Sequence, residues 1–276
     1  MKHFVAAALF LSLALPAWAE TFSFGVTSLR NATITAQYWN PILDYAGRKS
    51  GVTLELATRK TAQEVSNAEA RGEFDFLYSN HILMPSHAAA GYRIFARPAG
   101  EPIRGQIVVP ENSPLRSLRD LEGMRMGFPS KVAFVAYAVP MVELLREGIT
   151  VKPVMAGNME GIIAQVRADE IPAGAVNSKV IQAYAAREDF KYRALWTSAP
   201  YLDFPVSVHP RVPEAVAQAV RDALVGMAQD PEGLKILKAS AAVIKQGPPY
   251  GFVPALDAEY DNQREVYRLI WKKEGR

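Results

Sequence analysis

The chain has 276 residues, 49% of them hydrophobic and 21% charged, with no cysteine and a formal net charge of +3. That apolar share builds a packed core in one large domain or two modest ones, and excludes disordered, collagen-like and low-complexity classes. Without cysteine there are no disulfides, thiolate metal sites or cysteine nucleophiles, and basic residues as scattered as Arg30, Lys60, Arg104, Arg125 and Lys131 form no nucleic-acid face.

The first segment reads as an address. Met1-Lys2-His3 is positive, Phe4 to Leu15 is apolar, and Pro16 precedes the small-x-small triplet Ala17-Trp18-Ala19. This is the pattern of a signal peptide spanning residues 1–19 and cut between Ala19 and Glu20. The alternative, a membrane anchor, needs a longer apolar run. With no cysteine to carry a lipid, the mature chain is expected in the periplasm or outside the cell.

From Glu20 onward, strand-like and helix-like segments alternate. Period-two or β-branched runs predict strands at 21–27, 52–57, 74–78 and 92–97, with helices over 33–48, 61–70 and 80–90 between them. A second set follows: strands at 105–110, 124–128, 149–154, 173–176 and 193–197, with helices over 113–121, 131–146, 159–168 and 178–186. A strand at 204–209 and helices over 213–228, 231–242 and 256–271 close the chain. Alternation of this kind predicts an α/β protein with mostly parallel sheets flanked by helices. The two sets imply two lobes, residues 20–103 plus 205–276 and residues 104–204, joined by crossings near Arg104 and Asp203. A ligand cleft is expected between them, at the carboxyl ends of strands.

Catalytic signatures are absent. No nucleophile elbow, phosphate loop, zinc helix or dinucleotide fingerprint occurs, so no enzyme and no cofactor are expected. His81, Met84 and His87 fall on one side of a predicted helix and offer a soft nitrogen and sulfur set for copper, with Met155 and Met159 as further thioethers. The alternative for all of them is ordinary capping and packing. Ser130 and Lys131 follow a predicted strand, where a capped helix start with an added positive charge would attract an anion. Tyr38, Trp39, Tyr78, Phe134, Tyr137, Tyr201 and Phe204 suit either a pocket wall or a core. The polar candidates are Tyr78, Ser79 and Asn80 at one strand end, Asn158 at another, and Asp203 at the second crossing.

Taken in order and spacing, six segments resemble the phosphate, phosphite and phosphonate substrate-binding family of ABC transporters, a type II periplasmic binding protein group. They are YWNPILDYAGRKSGV at 38–52, GEFDFLYSNHILM at 72–84, the stretch 103–130, GNMEGIIAQVRADEIPAGAVNS at 157–178, LWTSAPYLDFPVSVHPRVP at 195–213, and 251–270. The resemblance implies a two-lobed type II periplasmic-binding-protein fold that closes around a small ligand. It also implies delivery to an ABC permease and ATPase. It departs from the phosphonate binders at their hydroxyl triplet, where only Ser130 remains beside Lys131, Val132, Ala133 and Phe134. It departs again at their pocket histidine, which here reads Asn158-Met159-Glu160, and at an early pocket tyrosine, which falls near Thr61. Asp203 is retained. The stretch 128–137 is closer to a branch whose members accompany sensor kinases or redox systems.

The sequence therefore leads to a monomeric periplasmic solute-binding protein for a small anionic or zwitterionic ligand. Its expected contacts are Tyr78, Ser79, Asn80, Ser130, Lys131, Ala133, Phe134, Asn158, Met159, Tyr201 and Asp203. A membrane sensor partner is the alternative, and a metal-handling role the less favoured one. An acid such as Asp203 facing a fully ionised phosphate would repel it, which favours a protonated oxyanion or a ligand carrying a donor.

Overall fold

Residues 19–27 and 29–273 are described by a computed structural model, and strands and helices alternate through them. The signal-peptide assignment falls almost entirely on residues outside this range. The first run is β1 (Thr21–Val26), α1 (Ala32–Ser50), β2 (Thr53–Ala57), α2 (Ala62–Ala70), β3 (Phe76–Tyr78) and β4 (Arg93–Pro98). The second is β5 (Gly105–Pro110), β6 (Arg125–Phe128), α3 (Val139–Arg146), β7 (Lys152–Met155), α4 (Met159–Arg167), β8 (Gly174–Asn177), α5 (Ser178–Glu188) and β9 (Tyr192–Thr197). The chain then returns through β10 (Val206–Val208), α6 (Glu214–Val225), α7 (Pro231–Val243), β11 (Phe252–Pro254) and α8 (Asp261–Lys273).

These strands form two sheets, ordered β11-β4-β10-β3-β1-β2 and β7-β6-β8-β5-β9. β1 runs parallel to β2 and β3, and β6 parallel to β7 and β8. The strands that follow a crossing run antiparallel to their neighbours, β5 against β8 and β9 and β10 against β3 and β4, and the late strand β11 is antiparallel to β4 as well. A chain entering a sheet from its neighbour arrives without a covering crossover helix, so nothing requires it to run parallel. The crossings lie side by side, with Ile103 and Tyr201 exchanging two backbone hydrogen bonds of 2.7 and 2.8 Å.

The apolar pattern decides which faces are covered. Phe22, Phe24 and Val26 alternate toward a core completed by Trp39, Ile42, Leu43 and Phe76, under α1, α6 and α7. The second sheet buries Ile107, Val109, Met126 and Phe128 against Ile162, Ile163, Val166 and Ile181 of α4 and α5. Helix α8 packs on α3 and on the 81–90 segment, so the chain's last helix bridges both sheets. Its Tyr267 hydroxyl donates to the Val132 carbonyl at 3.0 Å, and Gln263 Nε2 to the Leu202 carbonyl at 2.9 Å.

Three local expectations are corrected. The helix expected over 80–90 is two 3-10 turns, His81–Leu83 and Pro85–Ala90, because Pro85 lacks an amide proton and interrupts the ladder. The helix expected from Lys131 begins only at Phe134, as a π-helical turn, Phe134–Ala138, running into α3. Gly105 explains the tight seat of that turn, since a Cβ there would overlap the Val135 carbonyl oxygen. Strand β11, three residues long, was not anticipated because Pro254 and the short run give no periodic signal.

Candidate functional site

A cavity of about 240 Å3 lies between the two sheets, lined from both. The first sheet contributes Thr27 and Arg30 after β1, Tyr38 and Trp39 of α1, and Tyr78 at the end of β3. Pro98, Gly100 and Glu101 come from the first crossing and Asp203 from the second. β8 ends on Asn177 and helix α5 presents Lys179 and Val180, and the 244–248 loop closes the far side. Strand ends and helix starts meet here because both sheets direct the carboxyl ends of β1, β3 and β8 toward the gap.

The floor is a charged network. Tyr78 donates its hydroxyl to Asp203 Oδ1 at 3.2 Å, and the Phe204 amide donates to the same oxygen at 2.8 Å. Lys179 Nζ donates to Oδ2 at 2.9 Å. The pair is sheltered, with side-chain exposures of 31% for Lys179 and 12% for Asp203. The Asp203 charge is therefore matched within the protein, which corrects the expectation of a bare acid that repels an ionised oxyanion.

The walls are aromatic. Trp39 lies 4.9 Å from the Tyr78 ring and 5.3 Å from Tyr38, and Phe204 backs Tyr78 at 5.5 Å. Burial is the main influence on the Tyr38 phenol, pushing it up to about 12, with the Arg30 charge opposing and the Asp203 charge adding. Burial likewise drives Tyr78 well above its ordinary value, reinforced by Asp203. Both phenols are neutral donors at physiological pH.

The remaining hydrogen-bonding capacity points to an anion. Thr27 is 4% exposed and its hydroxyl has no partner among the described residues. The start of α5 faces the cavity, with Asn177 capping the Lys179 amide at 2.9 Å, and a helix start carries partial positive charge. Arg30 forms no ion pair among the described residues, which leaves a guanidinium suited to bidentate contact with an oxyanion.

Of the residues expected from sequence, Tyr78 and Asp203 line this cavity. Ser79 is buried beside it, its hydroxyl accepting from the His81 amide at 3.1 Å. Asn80 is fully buried with both amide atoms unpartnered among the described residues, and Ser130 is buried with a hydroxyl likewise unpartnered there. Since the helix starts later than expected, Ser130 is not its cap and Lys131 points to solvent. Ala133 and Phe134 are core, with Phe134 held between Tyr201 at 4.9 Å and Tyr267 at 5.1 Å. Asn158 caps α4 through the Gly161 amide at 2.8 Å, and Met159 is buried beneath it. Tyr201 belongs to the paired crossings.

The copper candidates are held in a separate buried network. His81 Nδ1 is 3.5 Å from Glu69 Oε1, while His87 Nε2 is 2.9 Å from the Ser66 hydroxyl and Nδ1 is 2.9 Å from the Ser86 hydroxyl. Met84 is buried in the core. Among the described residues, no three His, Cys, Asp or Glu side chains are grouped to hold a metal.

Thr27, Arg30, Asn177 and Lys179 were not anticipated. Thr27 and Arg30 follow β1 at its carboxyl end, a position already flagged by the strand-end rule, and Lys179 lies one residue past the segment 157–178.

A fold of two helix-flanked sheets with a cavity between paired crossings is that of type II periplasmic binding proteins. Within that class the chain belongs to the family of periplasmic substrate-binding proteins of phosphonate ABC transporters, whose model matches residues 24–260. It is similar to a binding-protein component of an ABC phosphonate transporter from Pseudomonas aeruginosa, with TM-score 0.77 and 16% identity over 90% of this chain and 85% of that one. It is also similar to PhnD1 from Prochlorococcus marinus in complex with methylphosphonate, with TM-score 0.77 and 15% identity over 91% and 98% of the two chains. A Xanthomonas citri protein bound to chloride ion gives TM-score 0.72 and 20% identity over 91% and 98%. No curated protein matches the chain in sequence. The family is one of periplasmic transport proteins rather than enzymes, working with a permease and an ATPase, and this favours transport over a sensor role. No helix among the described residues is long and apolar enough to cross a membrane.

Proposed function

We propose that the cavity captures a small oxyanion of the phosphonate, phosphite or phosphate kind and that the loaded protein, a monomer without catalytic activity, hands it to the permease. The observation that carries this reading is the Thr27 hydroxyl, buried without a partner at a cavity that also holds Arg30 and the start of α5. A buried polar group left unpaired costs about 1–3 kcal/mol, and a bound oxyanion oxygen would remove that cost. Arg30 supplies the main countercharge, the Tyr38 and Tyr78 phenols orient the ligand, and Asp203 holds Tyr78 in place. Asn80 and Ser130, each buried with unsatisfied polar atoms, supply further donors as the sheets close. Ser79, Ala133, Phe134, Asn158, Met159 and Tyr201 shape and support the site around them.

The working motion is closure about the crossings near residues 104 and 203, between lobes made of 20–103 plus 205–276 and of 104–204. The Ala62 amide donating to the Gly157 carbonyl at 3.4 Å is a contact that such closure would make and break. Export through a signal peptide cut after Ala19 delivers the chain to the periplasm. Calorimetric titration and thermal melting with methylphosphonate, phosphite and phosphate test the reading. Micromolar affinity for at least one, with a rise in melting temperature, is the expected result, and no binding to any of the three rejects it.

A further inference from the structure

The chemistry of the cavity floor narrows the ligand beyond an oxyanion. Five charged side chains line the cavity: Arg30, Lys179 and Lys245 are cationic, and Glu101 and Asp203 anionic. Glu101 is exposed at the rim, so Asp203 is the sheltered carboxylate. Both of its oxygens are taken, Oδ1 by the Tyr78 hydroxyl and the Phe204 amide and Oδ2 by Lys179. A ligand ammonium group would have to displace Lys179 from Asp203 and then sit beside the displaced cation. A carboxylate or hydroxyl arm meets the opposite situation. Lys179 has three N–H donors and, among the described residues, one acceptor in Asp203, and Arg30 has its fork free of ion pairs among the same residues.

We infer that Lys179, by occupying Asp203, makes the site selective for oxyanions whose second arm is acidic or neutral and excludes those bearing an ammonium group. This rests on the oxyanion reading of the cavity and assigns Lys179 as the residue that sets ligand charge. It removes the zwitterionic half of the ligand class left open by the sequence.

The test is a calorimetric comparison of three phosphonates that differ only in the arm: methylphosphonate, phosphonoacetate and 2-aminoethylphosphonate. The wild-type protein binds phosphonoacetate at least about tenfold more tightly than 2-aminoethylphosphonate, a difference set by the sign of one charge near Lys179. In Lys179→Met and Lys179→Glu variants that ratio falls by about tenfold or inverts, because Asp203 is freed to accept an ammonium group. A ratio cancels any general loss of affinity or stability, and melting curves confirm that each variant folds. Wild-type binding of 2-aminoethylphosphonate as tight as that of phosphonoacetate, or a ratio unchanged in both variants, overturns the inference. If methylphosphonate binds in that case, the oxyanion reading survives alone. If none of the three binds wild-type protein, both fall together.

Discussion

Replacing Thr27 by valine separates a ligand contact from a structural one, because the two roles predict opposite signs. The side chain is 4% exposed, its hydroxyl is unpartnered, and the backbone bonds that hold the position do not involve it. The Thr27 amide donates to the Tyr78 carbonyl at 3.2 Å and its carbonyl accepts from Leu29 at 2.8 Å. Valine keeps the branched shape and the strand preference while deleting a buried polar group that costs about 1–3 kcal/mol when unpaired. The empty variant should therefore gain about 1 kcal/mol, which for a chain of this size raises Tm by about 2–4 °C. The liganded protein loses a hydrogen bond to an ionised group, worth about 1.5 kcal/mol or about tenfold in Kd. Calorimetric melting without ligand, followed by titration with methylphosphonate, reads both quantities on one preparation. A lower Tm for the empty variant, or an unchanged Kd, would refute the assignment of Thr27 to the ligand.

The other predictions concern stability. Phe134→Ala empties a fully enclosed site between Tyr201 and Tyr267 and should cost about 3–5 kcal/mol in urea unfolding, with the midpoint rather than the slope changing. Gly105→Ala drives a methyl into the Val135 carbonyl and should cost at least about 2 kcal/mol, whereas Gly123→Ala, with open space around it, adds only the strain of a positive φ. Burial, opposed by the Glu69 charge, holds the His87 imidazole below its ordinary 6.5. Its folded value lies below its unfolded one, so its contribution is complete above about pH 6.5 and is lost as the pH falls from there. Nearby Glu69 and His81 stay in place in a His87→Gln variant, which should show a shallower acid loss of Tm below that pH. An unchanged slope would show that His87 does not carry it. Asp75 is also depressed: burial acts to raise it, but the Ser23 amide and hydroxyl and Arg211 outweigh that effect. Asp75→Asn should lose about 1–3 kcal/mol near neutral pH and converge on wild type below the carboxylate range.

Much of the architecture was legible because it follows from local periodicity. Phe22, Phe24 and Val26 alternate as a half-buried strand must, and the 3.6-residue spacing of Ile42, Leu43 and Ala46 marks the covered face of α1. Those patterns, repeated twice, fix an α/β chain of two sets. Tyr78 and Asp203 were also readable, one at a strand end and one at a crossing. The late start of the helix at Phe134 was not, because nothing in the run from Lys131 marks a helix start at one residue rather than another, and the seat against Gly105 and the Tyr267 bond to the Val132 carbonyl decide it.

By itself, then, the sequence determined most of the strands and helices, the α/β class they build, and where ligands of such folds gather, but not the 3-10 turns at 81–90, the late helix start at Phe134 or strand β11. Tertiary structure decided the charge of the site. Lys179 stands 24 positions before Asp203 on a different element, and only the packing of α5 against the second crossing brings them to 2.9 Å. Periodicity records which face of an element is buried but not what meets it there. A pair formed between α5 and the second crossing, and a hydroxyl left unpartnered in the same cavity, exist only once these elements are packed together.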